Sequence, residues 1–148
     1  EHSKAVIDAV LAVNPPLDQI PERIAAIEAF SQLEEAESLA AANKRITNLL
    51  RKVEGELVKP DESLLQEEAE KELFSMLQAV EPKAHALFTS KDFTGSMSLM
   101  ATARPAVDKF FNEVMVMADD PAIRSNRLSL LSRLHSTMNL IADISCLA

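Results

Sequence analysis

Ala40-Ala41-Ala42-Asn43-Lys44-Arg45-Ile46-Thr47-Asn48-Leu49-Leu50-Arg51-Lys52 is the stretch whose reading decides the fold. It is rich in alanine, lacks glycine and proline, and carries four basic residues and no acid. At about 100° per residue, Leu39, Ala42, Ile46, Leu49, Leu50 and Val53 gather on one apolar stripe, which predicts an amphipathic helix. Lys44, Arg45, Asn48, Arg51 and Lys52 fall off that stripe. The whole chain carries 15 Lys and Arg against 23 Asp and Glu, a net charge of −8. A cationic, amide-bearing face on so acidic a protein points to attraction for one specific anion.

The same period runs outward in both directions. Ser3 to Val13 reads as a first helix, stopped by Asn14-Pro15-Pro16. Pro21 suits the first turn of a second, through Ile24, Ile27 and Phe30. The basic helix extends from Glu34 to Val53, with Glu54-Gly55 ending it and Lys59-Pro60-Asp61 marking a loop. Leu64, Leu65, Ala69, Leu73, Leu77 and Val80 predict a fourth helix with its acids turned outward. Pro82 is expected to bend or restart it before Ala84, Leu87 and Phe88. Asp92 caps a short helix through Leu99 and Met100, and Pro105 opens another through Val107, Phe110 and Phe111. Asp119-Asp120-Pro121 starts the last, whose stripe runs Ile123, Leu131, Leu134, Met138, Ile141 and Ala142. Arg124 and Arg127 lie on that same stripe, and the Met115 and Met117 alternation before it reads as core packing. Only two glycines interrupt 148 residues, which argues against hairpins and glycine-rich ligand loops. The fold class is all-α, a single bundle of about six or seven helices.

Several function classes lose their signatures. No apolar run approaches the roughly 20 residues that span a bilayer. Cys146 has no internal partner, which fits a reducing compartment. Glu1-His2-Ser3 runs straight into a helical pattern without an initiator Met, as in a fragment of a longer protein. No phosphate-cradling glycine loop or paired-histidine zinc motif occurs, and His2, His85 and His135 are scattered. Glu81 and His85 are four apart, whereas di-iron bundles place Glu and His three apart. No catalytic residue and no metal ligand is expected. A uniformly acidic chain would bind nucleic acid poorly, but the charge here is polarised. Acids crowd Glu22 to Glu37 and Glu54 to Glu72, while Arg124, Arg127, Arg133 and His135 form a second basic segment.

Two segments together carry a family resemblance. Ala41-Ala42-Asn43-Lys44-Arg45-Ile46-Thr47-Asn48-Leu49-Leu50-Arg51-Lys52 resembles the A-N-K-R segment of the bacterial glycyl-tRNA synthetase beta subunit. Phe110-Phe111-Asn112-Glu113-Val114-Met115-Val116-Met117-Ala118-Asp119-Asp120, followed by Arg124-Ser125-Asn126-Arg127-Leu128, is similar to that subunit's C-terminal signature. Val6 to Ala12 and the ending Ala142-Asp143-Ile144-Ser145 also resemble it, so the likeness touches the chain from end to end in matching order. Leu49-Leu50 stands where Ile-Leu is commoner, and Cys146 where another small or apolar residue is usual. The resemblance implies a C-terminal anticodon-binding domain of the DALR type, related to that of arginyl-tRNA synthetase. It further implies tRNA(Gly), the rest of the beta subunit and an alpha subunit as partners, in the cytoplasm, with neither membrane nor DNA. It implies an ATP-dependent glycine–tRNA ligase as the parent, with ATP and Mg used elsewhere and no cofactor in this fragment.

A glycine anticodon carries two cytosines, and an unstacked cytosine offers one amino donor and two acceptors on its pairing edge. Asn43, Arg45, Asn126 and Arg127 are the candidate readers, with Asp119 or Asp120 as acceptors. Lys44, Arg51, Lys52, Arg124 and Arg133 suit phosphates, which position without reading sequence. With neither Trp nor Tyr present, stacking falls to Phe, His or an Arg plane. The bland readings stand beside these: Lys44, Arg51 and Lys52 also describe an ordinary solvated face, and Arg124 and Arg127 a pair of internal partners for Asp108 or Glu113. A helical protein-interaction bundle is the competing function.

Overall fold

The computed structural model describes residues 3–53 and 55–148. Glu1, His2 and Glu54, used above for the fragment reading, the histidine survey and the helix stop, lie outside the described residues. The described residues form seven α-helices and no strand: α1 (Lys4–Ala12), α2 (Ile20–Ser31), α3 (Ala36–Leu50), α4 (Glu68–Thr89), α5 (Phe93–Ala101), α6 (Arg104–Glu113) and α7 (Pro121–Met138). Short 3-10 turns occupy Leu17–Gln19, Glu62–Leu64 and Ile144–Leu147.

Local chemistry sets most of the boundaries. Ser3 accepts from the Val6 N–H, Asp92 from the Gly95 N–H, and Asp120 from the Ala122 and Ile123 N–H groups, each satisfying helix-start donors that lack a partner. Pro21, Pro105 and Pro121 stand in first turns, where a missing N–H costs nothing. Asn14 leaves α1 with φ 49°, a left-handed conformation that asparagine tolerates, just before the two prolines.

Four helices make the frame that carries the site. α3 packs on α6 and α7, and α4 packs on the same two from the other side. α5 lies against α4 and α2, α2 against α1, and the C-terminal 3-10 turn closes over α1 and α3. Leu39, Ile46, Leu73, Leu77, Phe110, Leu131 and Leu134 are fully buried between these elements. Arg23 staples the C-terminal segment: its Nη1 donates to the Leu140 and Ile141 carbonyls at 3.2 and 2.9 Å. Its guanidinium lies 5.2 and 5.1 Å from the Phe88 and Phe93 ring centres.

Five expectations change. Pro82 lies inside one continuous α4, which neither stops nor restarts there. The helix begins at Glu68, because Glu67 and Glu70 form a capping box; Leu64 and Leu65 precede it, Leu65 in extended backbone. The acids of α4 do not all face outward, since Glu70 is fully buried. α7 ends at Met138, where the Asn139 amide donates to the His135 carbonyl and accepts from the Ile144 N–H. After α6, Val114 and Val116 are the buried residues of the connecting strip, while Met115 and Met117 are exposed. Extended backbone alternates sides, and the valines took the inward positions.

Candidate nucleic-acid interface

The outer face of α3 and the turn that follows it present Lys44, Arg45, Asn48, Arg51 and Lys52 to solvent. Among the described residues, neither Lys44 nor Lys52 stands within ion-pair distance of an acid. The Arg45 guanidinium lies 4.5 Å from the centre of the Phe111 ring, which fixes its plane against α6. Phe111 in turn meets Phe110 edge-on, so the platform is anchored in the core. Sequence reasoning named Phe as the stacking type but missed Phe111 as the partner of Arg45. Nothing in the spacing of α3 points to a residue sixty-odd positions away.

Three candidate readers turn inward, Arg127 in line with the internal-pairing reading of its place on the α7 stripe. Asn43 is fully buried: its amide donates to Asn139 at 2.8 Å, and the Asn139 amide returns a bond at 3.3 Å. Asn126 is spent on the chain before α4, accepting from the Asp61 N–H at 2.6 Å and donating to the Asp61 carbonyl at 3.1 Å. Arg127 donates to Glu70 at 2.8 Å and to the Met115 carbonyl at 2.6 Å, deep between α4 and α7. Its partner is therefore Glu70 rather than Asp108 or Glu113; Asp108 takes Arg104 and Ser38 instead. The physical reason is common to all three. Each sits on the α3 or α7 stripe facing the bundle, where a polar group must find a protein partner.

The remaining candidates divide. Arg133 is half-buried and chelated by Glu81, with Nε to Oε2 at 2.8 Å and Nη2 to Oε1 at 3.3 Å. Arg124 is half-buried and donates to the Ala118 carbonyl at 3.2 Å, bracing the loop before α7. Asp120 is occupied as the α7 cap, and Asp119 beside it is exposed. Behind α3, Thr47 lies 3.1 Å from the His135 ring; burial lowers that imidazole's pKa, with Asp143 pulling weakly the other way. At Asp61 the Ser63 hydroxyl and N–H hold the carboxyl below its usual value.

Among the described residues no three His, Cys, Asp or Glu side chains come together where they could hold a metal ion. No helix of the described chain is long and apolar enough to cross a membrane.

Comparison with known proteins adds to this geometry. The pattern of the family described as the DALR anticodon binding domain matches residues 39–144, which takes in most of α3 and the whole of α4 to α7. The chain is 50% identical to the glycine–tRNA ligase beta subunit of Thiobacillus denitrificans across 99% of its own length and 21% of that protein. It is 48% identical to the same-named subunit of Aromatoleum aromaticum, over 99% of this chain and 21% of the relative. The corresponding figure for Neisseria meningitidis serogroup C is 46%, over 99% and 22%. The chain thus spans about a fifth of the length of the curated relatives it matches.

Proposed function

The chain belongs to the DALR anticodon-binding domain family, and on that premise we propose that it holds the anticodon arm of tRNA(Gly) for a glycine–tRNA ligase beta subunit. The observation that carries this reading is the cationic C-terminal half of α3, where among the described residues Lys44 and Lys52 meet no acid and Arg45 is stacked on Phe111, in a protein of net charge −8. Random surface charge on an acidic protein is expected to be interspersed with acids; Glu37 sits on the first turn of α3, but from Ala40 to Lys52 the chain carries four basic residues and no acid. Lys44, Arg51 and Lys52 neutralise phosphates. Arg45 has a flat, pre-oriented guanidinium that can donate to a base edge or stack beneath a ring. Arg124, with Asp119 as an acceptor, borders the loop of exposed methionines next to Phe111.

Positioning is the whole of the domain's task in this reading. Glycylation, with its use of ATP and Mg, takes place elsewhere in a cytoplasmic assembly that includes the rest of the beta subunit and an alpha subunit. The names of the relatives and the 46–50% identity to them support that setting.

The test is salt titration of a fluorescently labelled glycine anticodon stem–loop by anisotropy. The wild-type protein is expected to bind with log K falling linearly against log salt. Lys44→Glu with Lys52→Glu should flatten the slope by about 1.4–1.8, at roughly 0.7–0.9 per lost phosphate contact. An unchanged slope and affinity in the double variant would overturn the reading, and would leave the α3 face as a protein-docking surface.

A further inference from the structure

A cleft of about 470 Å³ lies between α4 and α7, walled on its third side by the chain from Leu57 to Pro60. Its size falls within the roughly 300–1,000 Å³ of small-molecule sites. α4 contributes Phe74, Gln78 and Glu81, and α7 contributes Ser129, Ser132, Arg133 and Ser136. Each set repeats at helical spacing, so two helix faces oppose one another across the opening.

The polar atoms of this cleft form an ordered row with capacity to spare. Arg133 sits at its centre, bound to Glu81 through Nε and Nη2 and to the Gln78 side-chain oxygen at 3.2 Å. Its guanidinium lies 5.9 Å from the Phe74 ring centre. Among the described residues Arg133 Nη1 and the Gln78 amide nitrogen have no bonded partner, and each Glu81 oxygen retains lone-pair capacity. The third wall is pinned at its end: Asn126 accepts from the Asp61 N–H and donates to the Asp61 carbonyl.

Basic side chains also lie near this place. Arg51 and Lys52 follow α3, and a shallow hollow beside them is lined by Leu50, Val53, Glu56 and Ser132. That hollow shares Ser132 and Leu57 with the cleft, and Lys59 stands on the cleft's loop wall.

We propose that this cleft is a base pocket for one unstacked cytosine of the bound RNA, an inference that rests on the anticodon reading above. Glu81 receives the exocyclic amino group, while Arg133 Nη1 and the Gln78 amide donate to N3 and O2. Uracil presents a carbonyl where cytosine presents the amino group, so it would set acceptor against acceptor. Discrimination of about tenfold or more follows. In this arrangement Asn126 is a positioning residue for the pocket wall rather than a reader.

The experiment is anisotropy with the glycine anticodon stem–loop and with versions in which each anticodon cytosine is replaced by uridine. Wild-type protein is expected to prefer cytosine at one position by about tenfold or more. Ser132→Phe, which fills the cleft mouth, and Glu81→Gln, which keeps the shape but weakens the acceptor, should erase or narrow that preference; Glu22→Gln on α2 should keep it. If Ser132→Phe fails to fold by circular dichroism, Ser136→Leu on the exposed rim serves instead. A folded cleft-filling variant that retains the full preference overturns the pocket while leaving RNA binding intact. Absence of any RNA binding by wild-type protein overturns the anticodon reading and the pocket with it.

Discussion

Arg127→Met separates a structural arginine from an RNA-reading one. In the fold, Arg127 is 6% exposed and Glu70 0%, joined by a 2.8 Å bond. The Glu70 carboxylate also accepts from the Glu67 N–H at 3.1 Å, while its second oxygen and Arg127 Nε have no partner. Such a pair adds little over a well-packed apolar substitute, because burying both charges is itself costly. Breaking it from one side is another matter: the carboxylate would stay buried without its counter-charge, and the Met115 carbonyl would lose its donor. We predict a loss of about 3–5 kcal/mol, against a total of about 5–15 kcal/mol for a domain. Urea denaturation followed by circular dichroism reads this as a midpoint lowered by about 1 M or more. Glu70→Gln with Arg127→Met removes both charges and keeps an oxygen for the Glu67 N–H. It should therefore be more stable than Arg127→Met alone by about 1 kcal/mol or more. A single variant within about 1 kcal/mol of wild type that nonetheless loses RNA affinity would refute this reasoning and restore Arg127 as a reader.

Three further outcomes are expected. Arg23→Met removes charged donors from the Leu140 and Ile141 carbonyls; hydrogen exchange should speed selectively in residues 140–147, with a stability loss of about 1.5–3 kcal/mol. His135 has a pKa lowered by burial from its usual 6.5, so the folded state favours the neutral ring. Its contribution is present above about pH 6.5 and is lost as pH falls through the folded value; His135→Gln should flatten the stability profile in that window, measured by thermal melts. Arg45→Ala should change stability by no more than about 1 kcal/mol, since an exposed cation–π contact contributes about 0.5–1 kcal/mol, while lowering RNA affinity in the anisotropy titration.

The fold was legible because helix punctuation is local. Asp92, Pro105 and Asp120-Pro121 begin helices by chemistry that lies within four residues, and the α3 stripe needs only a period. Where a boundary depended on a less familiar device, the sequence was ambiguous. The acidic cap Glu67–Glu70 hid the true start of α4, and Asn139, whose amide bonds tie α7 to α3 and to the final turn, hid the end of α7. Pro82 looked like a breaker because the rule concerns one hydrogen bond; packing of Leu77, Val80 and Ala84 on both sides of it outweighs that loss.

The site was legible only by half. Exposed charge on α3 followed from the stripe, because the residues off an apolar face must go to water. Which polar residues on or near a stripe would be consumed internally depended on partners distant in sequence. Glu70, Asp61 and Asn139 supply them for Arg127, Asn126 and Asn43. Periodicity gives direction but not partner: the stripe already turned Arg127 toward the bundle, but only the closed bundle shows which group each of the three meets.

The most direct test of the central claim is hydroxyl-radical footprinting of full-length tRNA(Gly) with the protein at low and moderate salt. The account predicts protection concentrated on the anticodon loop and its flanking phosphates, lost with Lys44→Glu and Lys52→Glu together. Protection spread evenly along the tRNA, or centred on the acceptor end, would contradict it.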